Sequence, residues 1–278
     1  MATPRPAYYK YSTDELMEAI DVFNVSAEAQ KKIKAILDSE ENVPNAGNFF
    51  RYYNPKSKTV QFEKEFAAKM GSKHVLAVNS GTSALIASLV AAGVGPGDEV
   101  IVPAYTFFAS VSAIVMAKAI PVITEIDESL TLDPVEIEKN ITPRTKAIMP
   151  VHMVGYPSRM DKICAIAKKH NLVVIEDTAQ ACGGKYHGRY LGTWGDFGCV
   201  SLDAYKVIGC GEGGVIMTDN EWFYTRAASY HDTAACWRPD RYAKERKEGE
   251  LFCGENYRMS ELEGAVALAQ LRKLDAIN

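Results

Sequence analysis

From residue 75 to residue 218 the chain alternates between short apolar runs and helical patterns, and this alternation limits its possible folds more than any other feature. The apolar runs are 75–79, 100–103, 121–126, 146–151, 172–176, 199–202 and 214–218, and helical patterns lie between them at 82–93, 107–118, 134–139 and 158–170. Strands that are apolar on both faces and separated by helices form a mostly parallel sheet covered on both sides. We therefore expect an α/β protein whose seven-stranded, mostly parallel sheet is flanked by helices.

Further helical patterns flank this region. Residues 12–39 predict two short helices, the first opened by a capping box of Ser12 with Glu15 and the second by Ser26. Residues 42–58 form a loop rich in Asn, Pro and aromatic side chains, which either contacts a ligand or partner or folds onto the protein's own core. Another helix is predicted over 60–70.

The last helical pattern runs from Ser260 to the end of the sequence. No Gly, Pro or polar cluster follows Leu274, so the sequence looks cut off there. Some apolar residues of this helix are expected to form a stripe that faces away from the chain's own core: Leu262, Val266, Ala269, Leu274 and Ile277.

Composition excludes several classes of protein. With 31 Lys and Arg against 35 Asp and Glu, the net charge of −4 argues against non-specific binding to nucleic acid. We expect no membrane segment, because no apolar run approaches the ~20 residues that a membrane helix needs. The six cysteines show no C-x-x-C spacing, so neither a zinc site nor a disulfide framework is expected. Together with the lack of a signal-peptide pattern, this predicts a cytoplasmic protein with reduced thiols and no metal.

A sheet of this kind binds ligands at the carboxyl ends of its strands. After the first run, Gly81 permits a tight turn, and the hydroxyls of Ser80, Thr82 and Ser83 lie where a helix begins. Free N–H groups and the helix dipole favour a phosphate at such a place. The same residues also suit an ordinary helix N-cap.

Aromatic and acidic residues follow two other runs. Phe107 and Phe108 follow the second run, where a ring either stacks on a flat ligand or packs in the core. Asp177 ends the fifth run, where a carboxylate either caps a helix or faces a cationic ring nitrogen. Gln180 would lie one helical turn further on, facing the same way, and could bind a ring oxygen.

Ser201 and Lys206 follow the sixth run, just before Gly211-Glu212-Gly213-Gly214. A phosphate cradle, a flat aromatic ring, an acid and a lysine at one edge of a sheet together indicate a pyridoxal phosphate site. In such a site the lysine forms a Schiff base with the cofactor and the acid pairs with the ring nitrogen.

The sequence resembles the DegT/StrS family of fold-type I pyridoxal phosphate enzymes, which are mainly sugar-nucleotide and cyclitol aminotransferases. The resemblance runs from about residue 60 to the end and is carried by Lys206-x4-GEGG and by several longer motifs: "NSGTSAL", "GVGPGDEVIVPAYTF", "IPVITEID", "TKAIMPVHMVG", "VIEDTAQACGG" and "GENYRMSELEGAVALAQLRKLD". It implies a large domain of the fold-type I class. We expect this sequence to cover that large domain only, without the small C-terminal domain of the class.

The resemblance also implies roles for single residues. Lys206 would be the catalytic lysine, and the other residues implied in cofactor binding are Gly81, Thr82, Phe107, Asp177, Gln180 and Ser201. Asn256 would reach the phosphate from the other subunit, so the family's site needs a homodimer. His152 matches a strand-end position near the site, without an assigned role.

The implied reaction is the transfer of an amino group from glutamate or glutamine to a keto-sugar nucleotide or a ketocyclitol. A sugar dehydratase or an aromatising relative is an alternative, although the dehydratases that the chain resembles carry histidine in place of the lysine. A catalytically weak fragment is another. The expected organisation is an N-terminal segment of helices and loop (1–59), a cofactor-binding domain (60–258) and the start of a linker helix (259–278).

Overall fold

The structure is a computed structural model that describes residues 13–39, 56–235 and 245–278. Ser12 and most of the 42–58 loop lie outside these residues. The two predicted N-terminal helices are present as α1 (Thr13–Asp21) and α2 (Ala27–Ser39). Ser26 opens α2 as predicted, since its Oγ accepts a hydrogen bond from the backbone N–H of Ala29 at 3.3 Å.

Each predicted apolar run forms a strand of one sheet. The main-sheet strands are β1 (His74–Val78), β2 (Glu99–Pro103), β3 (Ile120–Thr124), β4 (Thr145–Ile148), β5 (Val173–Asp177), β8 (Phe197–Ser201) and β9 (Gly214–Thr218), and a separate hairpin consists of β6 (Lys185–Tyr186) and β7 (Arg189–Tyr190). The order across the seven-stranded sheet is β1-β9-β8-β5-β4-β2-β3. The pairs from β8 through β5, β4 and β2 to β3 are parallel, and β9 runs antiparallel to both of its neighbours. The expectation of a mostly parallel α/β sheet is confirmed.

Helices cover both faces of this sheet. The remaining helices are α3 (Lys58–Met70), α4 (Gly81–Ala91), α5 (Phe108–Met116), α6 (Pro134–Asn140), α7 (Met160–His170), α8 (Glu221–His231), α9 (Glu261–Leu271) and α10 (Leu274–Ile277). Alternation along β1 shows the two layers, because Leu76 and Val78 pack with α4, α5 and α8 while Val75 and Ala77 pack with α3 and α9. Helices α6 and α7 cover the same face as α3 and α9 at the other half of the sheet.

The C-terminal helical pattern folds differently from the expectation. It breaks at Arg272 and Lys273 into α9 and α10. The predicted outward stripe is wrong at Leu274, which is 1% exposed and belongs to the core cluster that contains Phe62 and Phe66. Leu274 follows Leu271 by three positions and Ala267 by seven, so helical spacing itself places it on the buried face that packs against α3.

The sequence patterns did not predict α8 or the β6–β7 hairpin. The antiparallel direction of β9 had a signal in the chain, because its connection to β8 is short, rich in glycine and contains no helix. A parallel neighbour would have needed a longer crossover. Within the described residues, no helix has the length and apolar character that crossing a lipid bilayer requires.

Candidate functional site

A cavity of about 370 Å³ opens where β1, β5 and β8 end and α4 begins. It brings together residues that lie far apart in the sequence. The predicted site residues that line it are Gly81, Thr82, Phe107, Asp177, Gln180, Ser201 and Lys206. The other lining residues are Ser80, Leu85, Ala109, Val151, Ala179, Asp203, Tyr205 and Glu212.

One end of the cavity is built by the first turn of α4. Ser80 caps this helix, since its Oγ accepts from the backbone N–H of Ser83 at 3.0 Å. The N–H groups of Gly81 and Thr82 belong to the first turn and have no intrahelical acceptor, so they are available to an anion. The helix cap and the predicted phosphate cradle are therefore compatible at this turn.

Close backbone approach explains two glycines near this end. A Cβ at Gly81 would lie 2.8 Å from the Cβ of Ser201, closer than real Cβ atoms pack. A Cβ at Gly214 would collide with the backbone carbonyl of Ser80. The turn before α4 therefore rests directly on the ends of β8 and β9, and this contact brings Ser201 beside the α4 N-terminus.

Asp177 is a buried carboxylate at the end of β5, with 5% of its surface exposed. Burial raises the pKa of this carboxyl above its usual range, although hydrogen bonds from Ser110 and from the backbone of Ala179 favour the ionised form. The Ser110 Oγ donates to Oδ2 at 2.7 Å and the Ala179 N–H donates to Oδ1 at 3.1 Å. The charge of such a group is best balanced by a cation placed against it.

The helix-cap alternative for Asp177 is wrong, because no helix follows β5. Gln180 was expected one helical turn further on. It reaches the cavity instead through a turn in which the Ala181 N–H donates to the Thr178 carbonyl at 3.0 Å. The Gln180 Oε1 accepts from the Val154 backbone N–H at 2.8 Å.

The wall opposite the α4 turn carries an aromatic ring and an amine. Phe107 precedes α5 and its side chain is 64% exposed, so packing in the core does not explain it. The Lys206 Nζ lies 5.9 Å from the centroid of that ring. Lys206 follows a tight turn in which its backbone N–H donates to the carbonyl of Asp203 at 3.0 Å.

His152 does not line the cavity. It is fully buried, with Nε2 placed 3.1 Å from Glu176 Oε2 and Nδ1 accepting from the Ser158 N–H at 3.0 Å. Its contacts are made behind the strand end that carries Asp177.

Asn256 also lies outside this chain's cavity and is exposed. The backbone around Asn256 is held at two places. Asn256 forms an isolated antiparallel β-bridge with Asp232, and the carbonyl of Tyr257 accepts a hydrogen bond from the Asn79 N–H at 2.8 Å. Arg258 forms an ion pair of 2.5 Å with the buried Asp232. The exposed Asn256 side chain is therefore carried on a rigid support.

Sequence reasoning missed the second layer around Asp177 and part of the rim. Ser110 had no sequence signal, since it reads as one of several small residues in a helix. Tyr205 is 96% exposed and Glu212 also lies at the rim, and their positions next to Lys206 and within the glycine-rich stretch were the available signals. In the described part of the chain, no cluster of three or more His, Cys, Asp or Glu could hold a metal ion.

The residues of this cavity fit pyridoxal phosphate. The glycine-containing α4 turn offers N–H groups to a phosphate, and Phe107 offers an exposed ring to a flat heterocycle. Asp177 offers a buried carboxylate to a cationic nitrogen, and Lys206 offers a primary amine to an aldehyde.

Comparison with known proteins gives the same picture. The chain is 44% identical over 220 residues to the GDP-perosamine synthase of Caulobacter vibrioides, covering 78% of this chain and 57% of the relative. It is 43% identical over 224 residues to the spore coat polysaccharide biosynthesis protein SpsC of Bacillus subtilis, again covering 78% of this chain and 57% of the relative. The chain thus spans somewhat more than half the length of the curated relatives it matches.

Solved structures agree with this assignment. An aminotransferase from Psychrobacter cryohalolentis superposes with a TM-score of 0.71 at 37% identity, over 79% of this chain and 57% of that one. NtdA from Bacillus subtilis, solved with bound cofactor PMP, gives a TM-score of 0.73 at 30% identity, over 99% of this chain and 58% of that one. The dehydratase ColD gives 0.70 at 26% identity, over 78% of this chain and 61% of that one.

The match to a single family covers residues 34–278, which include every residue of the cavity. Fold, site geometry and sequence similarity therefore agree, and the chain belongs to the DegT/DnrJ/EryC1/StrS aminotransferase family of pyridoxal phosphate enzymes.

Proposed function

We propose that this protein is a pyridoxal phosphate-dependent aminotransferase that moves an amino group from glutamate or glutamine to a keto-sugar nucleotide or a ketocyclitol. The observation that carries the proposal is the placement of Lys206, Asp177 and Phe107 around one cavity with the α4 turn. The relatives include a GDP-perosamine synthase, which supports a sugar acceptor.

The side chains divide the work of binding. Gly81 and Thr82 donate backbone N–H groups to the phosphate, and Ser201 adds a hydroxyl. Phe107 covers one face of the ring. Asp177 holds a proton on the ring nitrogen, because its buried carboxylate is stabilised by the positive charge that the proton creates.

Lys206 performs the proton transfers. When bound, the cofactor would accept the electron pair of the bond that breaks at the substrate carbon bearing the amino group. The Lys206 amine would bind the aldehyde of the cofactor covalently, and it would be released as a free amine when the donor substrate takes its place. Its four-carbon stem would then let the same amine carry a proton from the substrate carbon that bears the amino group to the cofactor carbon bonded to the same nitrogen.

Reduction with borohydride tests the covalent role. Peptide mapping of the reduced holoenzyme should find the cofactor on Lys206, and the Lys206→Arg variant should carry no label at any lysine. A label on another lysine of the wild-type protein, with none on Lys206, would refute the assignment.

Analysis of the acceptor product by mass spectrometry tests the reaction. With a donor labelled with nitrogen-15 at its α-amino group, the product should gain one labelled amino group, and α-amino-labelled glutamate and glutamine run in parallel identify the donor. Loss of water without nitrogen gain would instead support a dehydratase. Lys206 argues against that alternative, because the dehydratases that the chain resembles have histidine there, and histidine cannot form the Schiff base.

We also propose a homodimer with shared sites in which Asn256 reaches the phosphate held by the partner. Its exposed side chain on a rigid support, outside its own cavity, supports this arrangement. Mixing Lys206→Ala chains with Asn256→Ala chains should restore activity, because each hybrid dimer then holds one site with both native residues. Failure of the mixture, with hybrid dimers present, would contradict a site that Asn256 completes from the partner subunit.

Residues 60–258 are proposed as the cofactor-binding domain, with 1–59 and 259–278 as its flanking segments. A cytoplasmic location completes the proposal. The cysteines in the described residues are all free, as expected in a reducing compartment: Cys164, Cys182, Cys199, Cys210 and Cys253.

A further inference from the structure

The side-chain amide of Gln180 can present only one of its two ends to the cavity. The Val154 backbone N–H donates to Gln180 Oε1 at 2.8 Å. An N–H group bonds only to an acceptor, so this contact identifies the oxygen end of the amide. What remains for a neighbour in the cavity is Nε2 with its two donor hydrogens. A ligand atom beside Gln180 therefore meets hydrogen-bond donors.

The backbone of Val154 has an unusual conformation for its residue type. Its φ of 55° and ψ of 21° lie in the left-handed region, which β-branched residues rarely adopt because the Cβ is crowded there. Its side chain is 61% exposed, so buried packing of that side chain does not offset the strain. Strain of this kind persists only where the surroundings impose it, and it concentrates at functional sites.

The buried side chain of His152 anchors this turn. The His152 N–H donates to the Asp177 carbonyl at 3.1 Å. Because Nδ1 accepts from Ser158, Nε2 carries the ring hydrogen and donates it to Glu176. Glu176 in turn accepts from further backbone N–H groups, those of Gly192, Trp194 and Gly195. The turn is thus tied to the strand end that carries Asp177.

We propose that the 152–155 turn is a positioning device that fixes Gln180 as a hydrogen-bond donor to the ring oxygen of the cofactor. The inference rests on the proposed function, because it takes pyridoxal phosphate as the ligand. Hydrogen bonds to an ionised oxygen stabilise its charge, whereas an acceptor facing it raises the energy of that state. Val154 and His152 do not line the cavity, so they would act through Gln180.

The polarity of Gln180 can be measured from the absorbance of the bound cofactor as a function of pH. That absorbance follows the proton shared between the Lys206 nitrogen and the ring oxygen. A hydrogen-bond donor beside the ring oxygen favours loss of this proton, because the donor stabilises the negative charge on the oxygen after the proton has left. The titration midpoint should therefore rise when the donor is removed.

Two substitutions separate donor from acceptor. Gln180→Glu still accepts from Val154 but offers a second acceptor to the cavity, and Gln180→Met offers neither group. Both should raise the midpoint, by about one to two pH units, and Gln180→Glu by more. A wild-type or lowered midpoint in Gln180→Met, which adds no charge, would mean that the amide does not donate to the cofactor, and this would overturn the proposal.

Other ionisable groups contribute to the absolute midpoint. Those that line the cavity are Asp177, Asp203, Tyr205, Lys206 and Glu212, and His152 and Glu176 lie behind the turn. They are unchanged in both variants, so the difference between Gln180→Glu and Gln180→Met reports the contact at Gln180.

The role of the turn needs its own variant and a matched control. Proline cannot adopt the φ of 55° found at Val154, so Val154→Pro removes the N–H that holds Gln180 and also changes the conformation of the turn. It should shift the midpoint in the same direction as Gln180→Met. Leu130→Pro is the control, because Leu130 is also left-handed (φ 60°) and its N–H also closes a turn, to Asp127, but it does not line the cavity. It should keep the wild-type midpoint. A wild-type midpoint in Val154→Pro would show that the turn does not fix the orientation of the Gln180 side-chain amide.

Hydrogen exchange provides a readout that needs no cofactor. The Val154 amide hydrogen should be protected in the wild-type protein and in Gln180→Glu, and should exchange faster in Gln180→Met. Equal exchange in all three proteins would overturn the contact even if Val154→Pro fails to fold. If the wild-type protein binds no pyridoxal phosphate, the proposed function is contradicted. The exchange result would still show whether the Val154 N–H is bonded to Gln180.

Discussion

The Ser110 hydroxyl donates a hydrogen bond of 2.7 Å to Asp177 Oδ2, across 67 positions of the chain. The Thr106 Oγ1 lies 2.7 Å from the same serine oxygen, so the start of α5 supports the acid through two hydroxyls. The bond favours the ionised carboxylate in a buried place where solvation cannot do so. The ionisation of Asp177 thus depends on α5, a helix that lies far from Asp177 in the sequence.

Replacing Ser110 with alanine should make Asp177 harder to ionise. The pKa of the Asp177 carboxyl, already raised by burial, should rise further, because the hydrogen bond that lowers it is gone. The acid limb of the kcat/KM profile should therefore move to higher pH. Activity at neutral pH should fall by about tenfold, since a hydrogen bond to a charged group is worth about 1.5–3 kcal/mol.

A matched control for this change is Ser88→Ala. Ser88 is equally buried, and its Oγ lies 3.2 Å from Cys199 Sγ, away from the cavity. The pH profile of kcat/KM for Ser88→Ala should match that of the wild-type protein. An unchanged profile in Ser110→Ala as well would remove Ser110 from any part in setting Asp177.

Adding one methyl group at Gly81 should weaken cofactor binding. The new Cβ would meet the Ser201 Cβ at 2.8 Å, so the α4 turn or the end of β8 must shift. Overpacking of this kind costs about 1–3 kcal/mol, which would raise the dissociation constant of pyridoxal phosphate by about tenfold or more. Gly95→Ala is the control, because a Cβ there meets nothing within 4 Å. Equal cofactor affinity in the two variants would show that the turn adapts.

Asp177→Asn should stabilise the protein without cofactor while it impairs catalysis. Because burial raises the folded-state pKa of Asp177, ionisation of this carboxyl opposes folding once the pH exceeds the unfolded value of about 4. The variant's gain in Tm should therefore be absent at acid pH and grow as the pH rises towards neutrality. Thermal unfolding of cofactor-free protein across this range measures it. A gain that shrinks with rising pH would contradict the buried-charge explanation.

Ala234→Gly should raise stability. Thr233, Ala234 and Ala235 form three successive left-handed residues, with Ala234 at φ 71°. Each such residue costs about 1–2 kcal/mol when it is not glycine, so the substitution should add about 1 kcal/mol to the free energy of unfolding. The control, Ala267→Gly in the middle of α9, should lose a similar amount. Destabilisation by Ala234→Gly in denaturant titration would show that its methyl packing outweighs the backbone strain.

The layers of the fold and the strand ends that line the cavity follow from the pattern of apolar residues along the chain. The apolar runs became strands because segments that are apolar throughout must be covered on both faces, which happens only inside a sheet flanked by helices. Gly81, Asp177 and Ser201 were predicted at strand ends, and the structure brings them together, since the carboxyl ends of these strands lie at one edge of the sheet. Local pattern and sheet geometry were sufficient for this much.

The contacts that give these residues their properties form only when the layers pack together. The hydrogen bond from Ser110, the amide direction imposed on Gln180 by Val154 and the burial of Leu274 each depend on a partner distant in the chain. An apolar or polar pattern reports which face of an element is covered, but it does not report which atom covers it. Hydrogen-bond direction and burial of a charge are set by single atoms a few ångströms apart, and those positions exist only once the layers have packed.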